Sequence, residues 1–186
     1  RLNRSSVVVV HSPAMRDWLR AHGLKAEMVV LGLFDYLSDS IPRRKHEKPG
    51  NRPRLMFAGN CSQSDNGWIY ELARTEPGVD LVLYGGGVDQ DKATGNIHAM
   101  GYVDSDTLIA GAEGDYGVVW YGSSLYEGAG SLGEYLKYNA PHKTSLYLRA
   151  GLPVIIWDKA ALAEIVSRLD IGICVSSLRG LGDVLS

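Results

Sequence analysis

Cysteine is almost missing from this chain. Only Cys61 and Cys174 occur, too few for a disulfide framework or a zinc site. Both sit in or beside apolar runs and read as buried free thiols. An excess of one charge is missing too: 19 Lys+Arg stand against 21 Asp+Glu, a net charge of −2. That balance argues against binding nucleic acid by bulk charge, although one local anion site remains possible. No apolar run reaches the length of a membrane span, and no targeting segment is visible. GxSxG is absent, no Ser-His-Asp arrangement is legible, and the five histidines lack metal-ligand spacing. Glu127 and Glu134 have no partner at fixed spacing, so a carboxylate pair for glycoside hydrolysis has no support.

Glycine, by contrast, is plentiful at 22 of 186 residues, which favours tight strand-to-helix turns. The length suits one domain, or one domain and a piece of another. The chain opens on Arg1, enters "SVVVV" almost at once, and stops in a helix-like "LGDVLS", so it reads as a part of a longer protein. Val7–Val10 predicts a buried strand; Ser12 then caps a helix with Pro13 at its first position. Met28–Leu31 predicts a second strand. Residues 34–53 are polar, proline-rich and basic at Arg43–Lys48, and predict a solvated linker between two units.

After the linker the pattern is regular. Strands are predicted at Leu55–Ala58, Leu81–Tyr84, Ile97–Gly101, Gly117–Tyr121, Pro153–Trp157 and Gly172–Val175. Helices are predicted at Gly67–Arg74, Asp104–Ala112, Pro141–Ala150 and Ala160–Leu169, with another starting near Leu178. Apolar strands alternating with helices predict an α/β fold, a doubly wound, Rossmann-like parallel sheet covered on both faces. The stretch from Tyr121 to Lys137 follows neither period and predicts a mobile loop.

In such a sheet, ligands bind at the carboxyl ends of the strands. "FAGN" places Gly59 and Asn60 there, and "YGGG" adds Tyr84 and Gly85, in a glycine turn without GxGxxG spacing. "KYNAPHK" supplies Tyr138, His142 and Lys143, with Asn139 or Ala140 as helix cap and Pro141 in the first turn. A lysine at a helix start opposes the helix dipole, which points to an anion, most naturally phosphate. A surface lysine and a histidine bonded to a local carbonyl would explain the same residues without a ligand. Of the aromatics at this edge, Trp120 reads as core, while Tyr84 and Tyr121 fit either core or site.

Three blocks carry a family resemblance: "YGVVWYG", "GEYLKYNAPHKTSLYLRAGLPVIIWDKAALAEIV" and "IGICVSSLRGL". With "FAGN" and "HSPAMRDWL", they resemble the carboxyl-terminal half of a bacterial GT-B glycosyltransferase group. That group includes the glucosyltransferases that extend sugar on serine-rich adhesins and the β-1,6-galactofuranosyltransferase-like proteins. The resemblance implies one Rossmann-like half of a GT-B architecture at 54–186, a linker at 34–53, and a strand–helix remnant of the other half at 1–33. It implies the donor-binding domain of a hexosyltransferase that uses a nucleotide diphosphate sugar, a UDP-sugar, as substrate, with no separate cofactor and no metal.

By the same resemblance, Gly59, Asn60, Tyr84, Gly85, Tyr138, His142 and Lys143 line the nucleotide-sugar site, Lys143 holding the diphosphate. The implied partners are the donor and a glycan or glycoprotein acceptor, with no nucleic acid, no integral membrane segment, and a homo-oligomer as a further expectation. The implied place is cytoplasmic, peripheral to the inner membrane face. Relatives often carry Lys near Gln63 and Asp where Tyr121 stands; these departures keep open a non-catalytic nucleotide-sugar-binding partner of another transferase. Alone, the 186 residues are expected to hold half an active site and to be inactive.

Overall fold

The computed structural model of the chain describes residues 1–42 and 52–185. A short 3-10 turn at Leu2–Arg4 leads into β1 (Val7–Val10), α1 (Pro13–Ala21) and β2 (Glu27–Val30), which form a two-stranded parallel sheet with one helix. Ser12 caps α1 as its type predicts: its Oγ accepts from the Met15 N–H at 3.0 Å, with Pro13 as the first helical residue.

The larger sheet contains β3 (Arg54–Ala58), β4 (Asp80–Tyr84), β5 (Ile97–Gly101), β6 (Tyr116–Val119), β7 (Val154–Trp157) and β8 (Gly172–Val175). All six are parallel, in the order β5-β4-β3-β6-β7-β8. Counted within this sheet the order is 3-2-1-4-5-6, so the winding reverses between β3 and β6. The helices are α2 (Gln63–Asn66), α3 (Trp68–Thr75), α4 (Ser105–Gly111), α5 (Gly130–Tyr135), α6 (His142–Arg149), α7 (Ala163–Leu169) and α8 (Leu181–Leu185). β3, β6 and β7 are almost wholly buried, as expected of central parallel strands. Trp68, Trp120 and Trp157 fill the core with no exposure above 1%.

Three readings of the sequence change. The Tyr121–Lys137 stretch is not one structureless loop. It contains α5 and is pinned by buried Leu125, Gly128, Gly133 and Leu136. Gly128 and Gly133 approach so closely that a Cβ on Gly133 would lie 2.1 Å from the Gly128 carbonyl carbon. Second, the start of the linker is not simply solvated. Ser145 Oγ donates to the Phe34 carbonyl at 2.7 Å, and Arg149 donates to the carbonyls of Ser38 and Ser40, each at 2.7 Å. An extended segment has free carbonyls, and the polar side of α6 supplies donors for them. The basic cluster Arg43–Lys48 lies outside the described residues. Third, α2 precedes the helix predicted at Gly67, and α6 and α7 start later than expected.

Tyr147 joins α6 to the sheet. It is fully buried, and its ring lies against Gly117 so closely that a Cβ there would sit 2.3 Å away. Its hydroxyl accepts from the Ala58 N–H at 2.8 Å, at the last residue of β3. Tyr147→Phe leaves that buried N–H without an acceptor and is expected to cost about 1–2 kcal/mol. Urea unfolding should show a lower midpoint at an unchanged slope; an unchanged midpoint would mean that the bond contributes nothing.

Candidate functional site

A cleft opens at the carboxyl edge of the sheet, over the ends of β3, β4 and β5. Its volume is about 530 Å³, and Ala58–Asn60, Tyr84–Gly86, Tyr102 and Leu146 are among its lining residues. Two glycine turns form its floor. Gly59 has φ 149° and its N–H donates to the Tyr84 carbonyl at 2.8 Å. Gly85 has φ 134°, and a Cβ there would lie 2.0 Å from the Gly59 carbonyl oxygen. Only glycine allows the two strand ends to interlock at this distance.

Four of the seven predicted residues, Gly59, Asn60, Tyr84 and Gly85, line this cleft. Two of them are already bonded within the protein. Asn60 donates to Asp65 and accepts from the Ser62 N–H at 3.0 Å, so its amide organises the entry to α2. The Tyr84 hydroxyl accepts from the Glu113 N–H at 3.2 Å, and burial pushes this phenol up.

Tyr138 and His142 lie beside the junction with the small sheet. The Tyr138 carbonyl accepts from Ser12 Oγ at 2.6 Å, and its ring is 6.2 Å from that of Trp18. His142 is exposed and lies against Phe34, with ring centroids 4.2 Å apart. Phe34 in turn meets His11 edge-on at 5.2 Å, and His11 Nδ1 accepts from the Ala140 N–H at 3.3 Å.

Helix α6 starts differently from the expectation. Pro141, rather than Asn139 or Ala140, is the cap, and among the described residues no side chain bonds the first N–H groups. Those donors keep their partial positive charge. Two buried acceptors in the same segment, Asn139 Oδ1 and Thr144 Oγ1, also lack partners among the described residues.

Lys143 turns toward the end of β3. A Cβ on Gly59 would lie 3.4 Å from its Nζ. The Nζ stands 3.9 Å from the centre of the Phe57 ring and 4.5 Å from that of Tyr121. The residue as a whole is half-buried, but its ammonium is packed between rings, and no carboxylate pairs with it among the described residues. Loss of hydration without a counter-charge lowers Lys143 to about 7. The same burial pushes Cys61 up to about 11 and Tyr121 to about 12.

Phe57 is the site residue that the sequence did not single out, since it reads as an ordinary strand residue. Tyr121, at a strand end, fitted either core or site and stands where relatives often carry Asp, and no sequence signal paired it with Lys143. Gln63 lines a second cavity of about 360 Å³ with Gly67, Tyr70 and Arg74, on the other side of α2.

The charge on Lys143 has a consequence for stability. Its folded value lies below that of an ordinary lysine, so between about pH 7 and 10 the unfolded chain binds more protons. Its contribution to stability therefore rises with pH through that window and is least favourable below pH 7. Lys143→Met should stabilise the fold at pH 6 by about 1–3 kcal/mol, less than full linkage because the residue keeps some solvent contact. It should also flatten the rise toward pH 9. Urea unfolding at both pH values checks this; equal effects at pH 6 and pH 9 would contradict it.

Residues 55–186 match the family described as glucosyltransferase 3-like, C-terminal domain, and residues 1–33 match the corresponding N-terminal domain. The chain is 34% identical to the β-1,6-galactofuranosyltransferase WbbI of Escherichia coli K12 over all of its own length and 54% of that protein. It is 28% identical to glucosyltransferase 3 of Streptococcus gordonii, over 95% of this chain and 49% of the relative. The chain thus spans about half the length of the curated relatives it matches. The S. aureus TarM structure, solved with UDP, superposes with a TM-score of 0.61 at 14% identity, over 99% of this chain and 37% of TarM. The fold is one Rossmann-like half of a GT-B architecture, with a strand–helix portion of the other half. Among the described residues, no helix is long and apolar enough to cross a membrane. The chain belongs to the glucosyltransferase 3-like family.

Proposed function

We propose that this chain is the donor-binding part of a glycosyltransferase that moves a sugar from a UDP-sugar to a glycan or glycoprotein acceptor. One observation carries the reading: Lys143, with no anionic partner among the described residues, stands over the Gly59 turn at the N-terminus of α6, which no described side chain caps. The glycine turns let a pyrophosphate approach the backbone, and the helix start offers N–H donors to it. The adjoining 530 Å³ cleft offers Leu108, Leu146 and Val103 to a nucleoside, with the exposed ring of Tyr102 at its rim. The names of the relatives, a galactofuranosyltransferase and a glucosyltransferase, support sugar transfer, and UDP in the TarM structure supports the nucleotide.

The chemistry required of such a site is stabilisation of charge on a leaving diphosphate. Lys143 and the α6 N-terminus supply it from fixed positions, so little reorganisation accompanies bond breaking. Ser12 and His11 of the small unit, and Phe34 just after it, border the approach to α6, which supports an acceptor on that side.

Calorimetry of the full-length protein with UDP should show binding, and Lys143→Ala should weaken it about tenfold to a hundredfold, the value of one charge-assisted contact at roughly 1.5–3 kcal/mol. Absence of binding by UDP and by UDP-sugars would remove the proposal. Release of UDP from a UDP-sugar in the presence of acceptor separates an enzyme from a binding partner without turnover.

A further inference from the structure

Lys143 is held by rings rather than by charges. Phe57 is one wall, fully buried and fixed edge-on against Trp68 at 5.3 Å. Tyr121, at the end of β6, is the other. Among the described residues, the remaining titratable groups around the amine are Cys61 beyond the Gly59 turn, Tyr147 one turn further along α6, and His142, which lies against Phe34. Asp65 bonds Asn60 and Ser62 instead. Two ring faces return only part of the hydration that an ammonium loses.

We propose that the Phe57–Tyr121 cage holds Lys143 largely as a neutral amine until a diphosphate arrives, so that binding a nucleotide sugar takes up one proton from solution and Tyr121 sets the pH above which the site loses affinity. This rests on the diphosphate reading of the site. The step is a simple proton transfer: solvent gives a proton to the Nζ lone pair, the resulting ammonium bonds the phosphate oxygens, and no bond of the nucleotide sugar breaks. Tyr121 acts through Lys143 and is a positioning residue.

The lowering of Lys143 to about 7 agrees with this cage, and the raised Cys61 (about 11) and Tyr121 (about 12) stay protonated throughout the working range. Binding of an anion restores the charged form, so the bound amine titrates higher than the free one. The sign follows from linkage: the complex holds more protons than the free protein above about pH 7, and affinity falls as pH rises through that range.

The test is calorimetry of the full-length protein with UDP-glucose, whose diphosphate has no group titrating near neutrality. Heats in HEPES and in Tris, buffers of different ionisation enthalpy that carry no phosphate, count the protons. Uptake of about half a proton or more per site is expected near pH 8, with affinity falling about threefold to tenfold from pH 7.5 to 8.5. Lys143→Met should abolish the uptake. Tyr121→Leu, which opens one wall to water, should lower uptake at pH 8 toward zero and flatten the pH slope. Tyr121→Phe, which keeps the ring, should preserve both. Binding without buffer dependence, or uptake that survives Lys143→Met, overturns the cage while leaving the donor site standing. Failure of both UDP and UDP-glucose to bind at any pH removes the donor site and the cage together.

Discussion

The contact of Tyr147 with Gly117 and Ala58 is the constraint on which the site depends. A side chain at position 117 would push the Tyr147 ring away from the sheet. With glycine there, the ring lies flat on β6 and its hydroxyl reaches the last N–H of β3. The helix is thereby fixed at the one place where the strand order reverses, between β3 and β6. Lys143 is four residues before Tyr147 and so lies on the same face of α6, one turn nearer its start. Packing that aims the tyrosine at the sheet must also aim the lysine at the end of β3. The placement of a cation at the switch point is therefore a consequence of core packing, not of surface electrostatics.

That placement is unfavourable in two ways. A lysine in the first turn opposes the helix dipole, and one packed between Phe57 and Tyr121 gives up hydration. Local consistency would put a carboxylate or a neutral residue here. Departures from local consistency concentrate at functional sites, where an absent ligand supplies the missing term. The start of α6, which no side chain among the described residues caps, and the Asn139 and Thr144 oxygens without partners there belong to the same departure. The protein around them is well satisfied: the buried Asn96 amide donates to two carbonyls, and the Trp120 ring N–H reaches Ser124 at 2.9 Å.

The larger sheet was legible because each central strand is a short apolar run bounded by turn residues, and every predicted strand after the linker is present. The Tyr121–Lys137 segment was not legible. Its order comes from isolated anchors and from close contacts between glycine backbones, such as Gly128 against Gly133, and no period records those. Helix α2, four residues long, is too short to show a period. In the site, the types and the sheet edge were readable: glycine turns after β3 and β4, and a lysine at a helix start. The cage was not, since Phe57, Tyr121 and Lys143 come from three segments whose meeting depends on strand order. Tyr84 and Tyr138 show the converse. Their positions were readable, but the bonds that occupy them, to Glu113 and Ser12, join segments far apart in the chain.

The small sheet and the site meet at the segment before α6. Ser12 both caps its own helix and donates to the Tyr138 carbonyl, so the start of α1 and the approach to α6 share one hydroxyl. His11 takes the Ala140 N–H, and Phe34 lies between the rings of His11 and His142. Further along, Ser145 and Arg149 bind the carbonyls of residues 34–40. Helix α6 is thus held by the sheet through Tyr147 and by the preceding unit through its approach segment and outer face. A shift of the small sheet relative to the large one would act first on residues 138–142, immediately before Lys143.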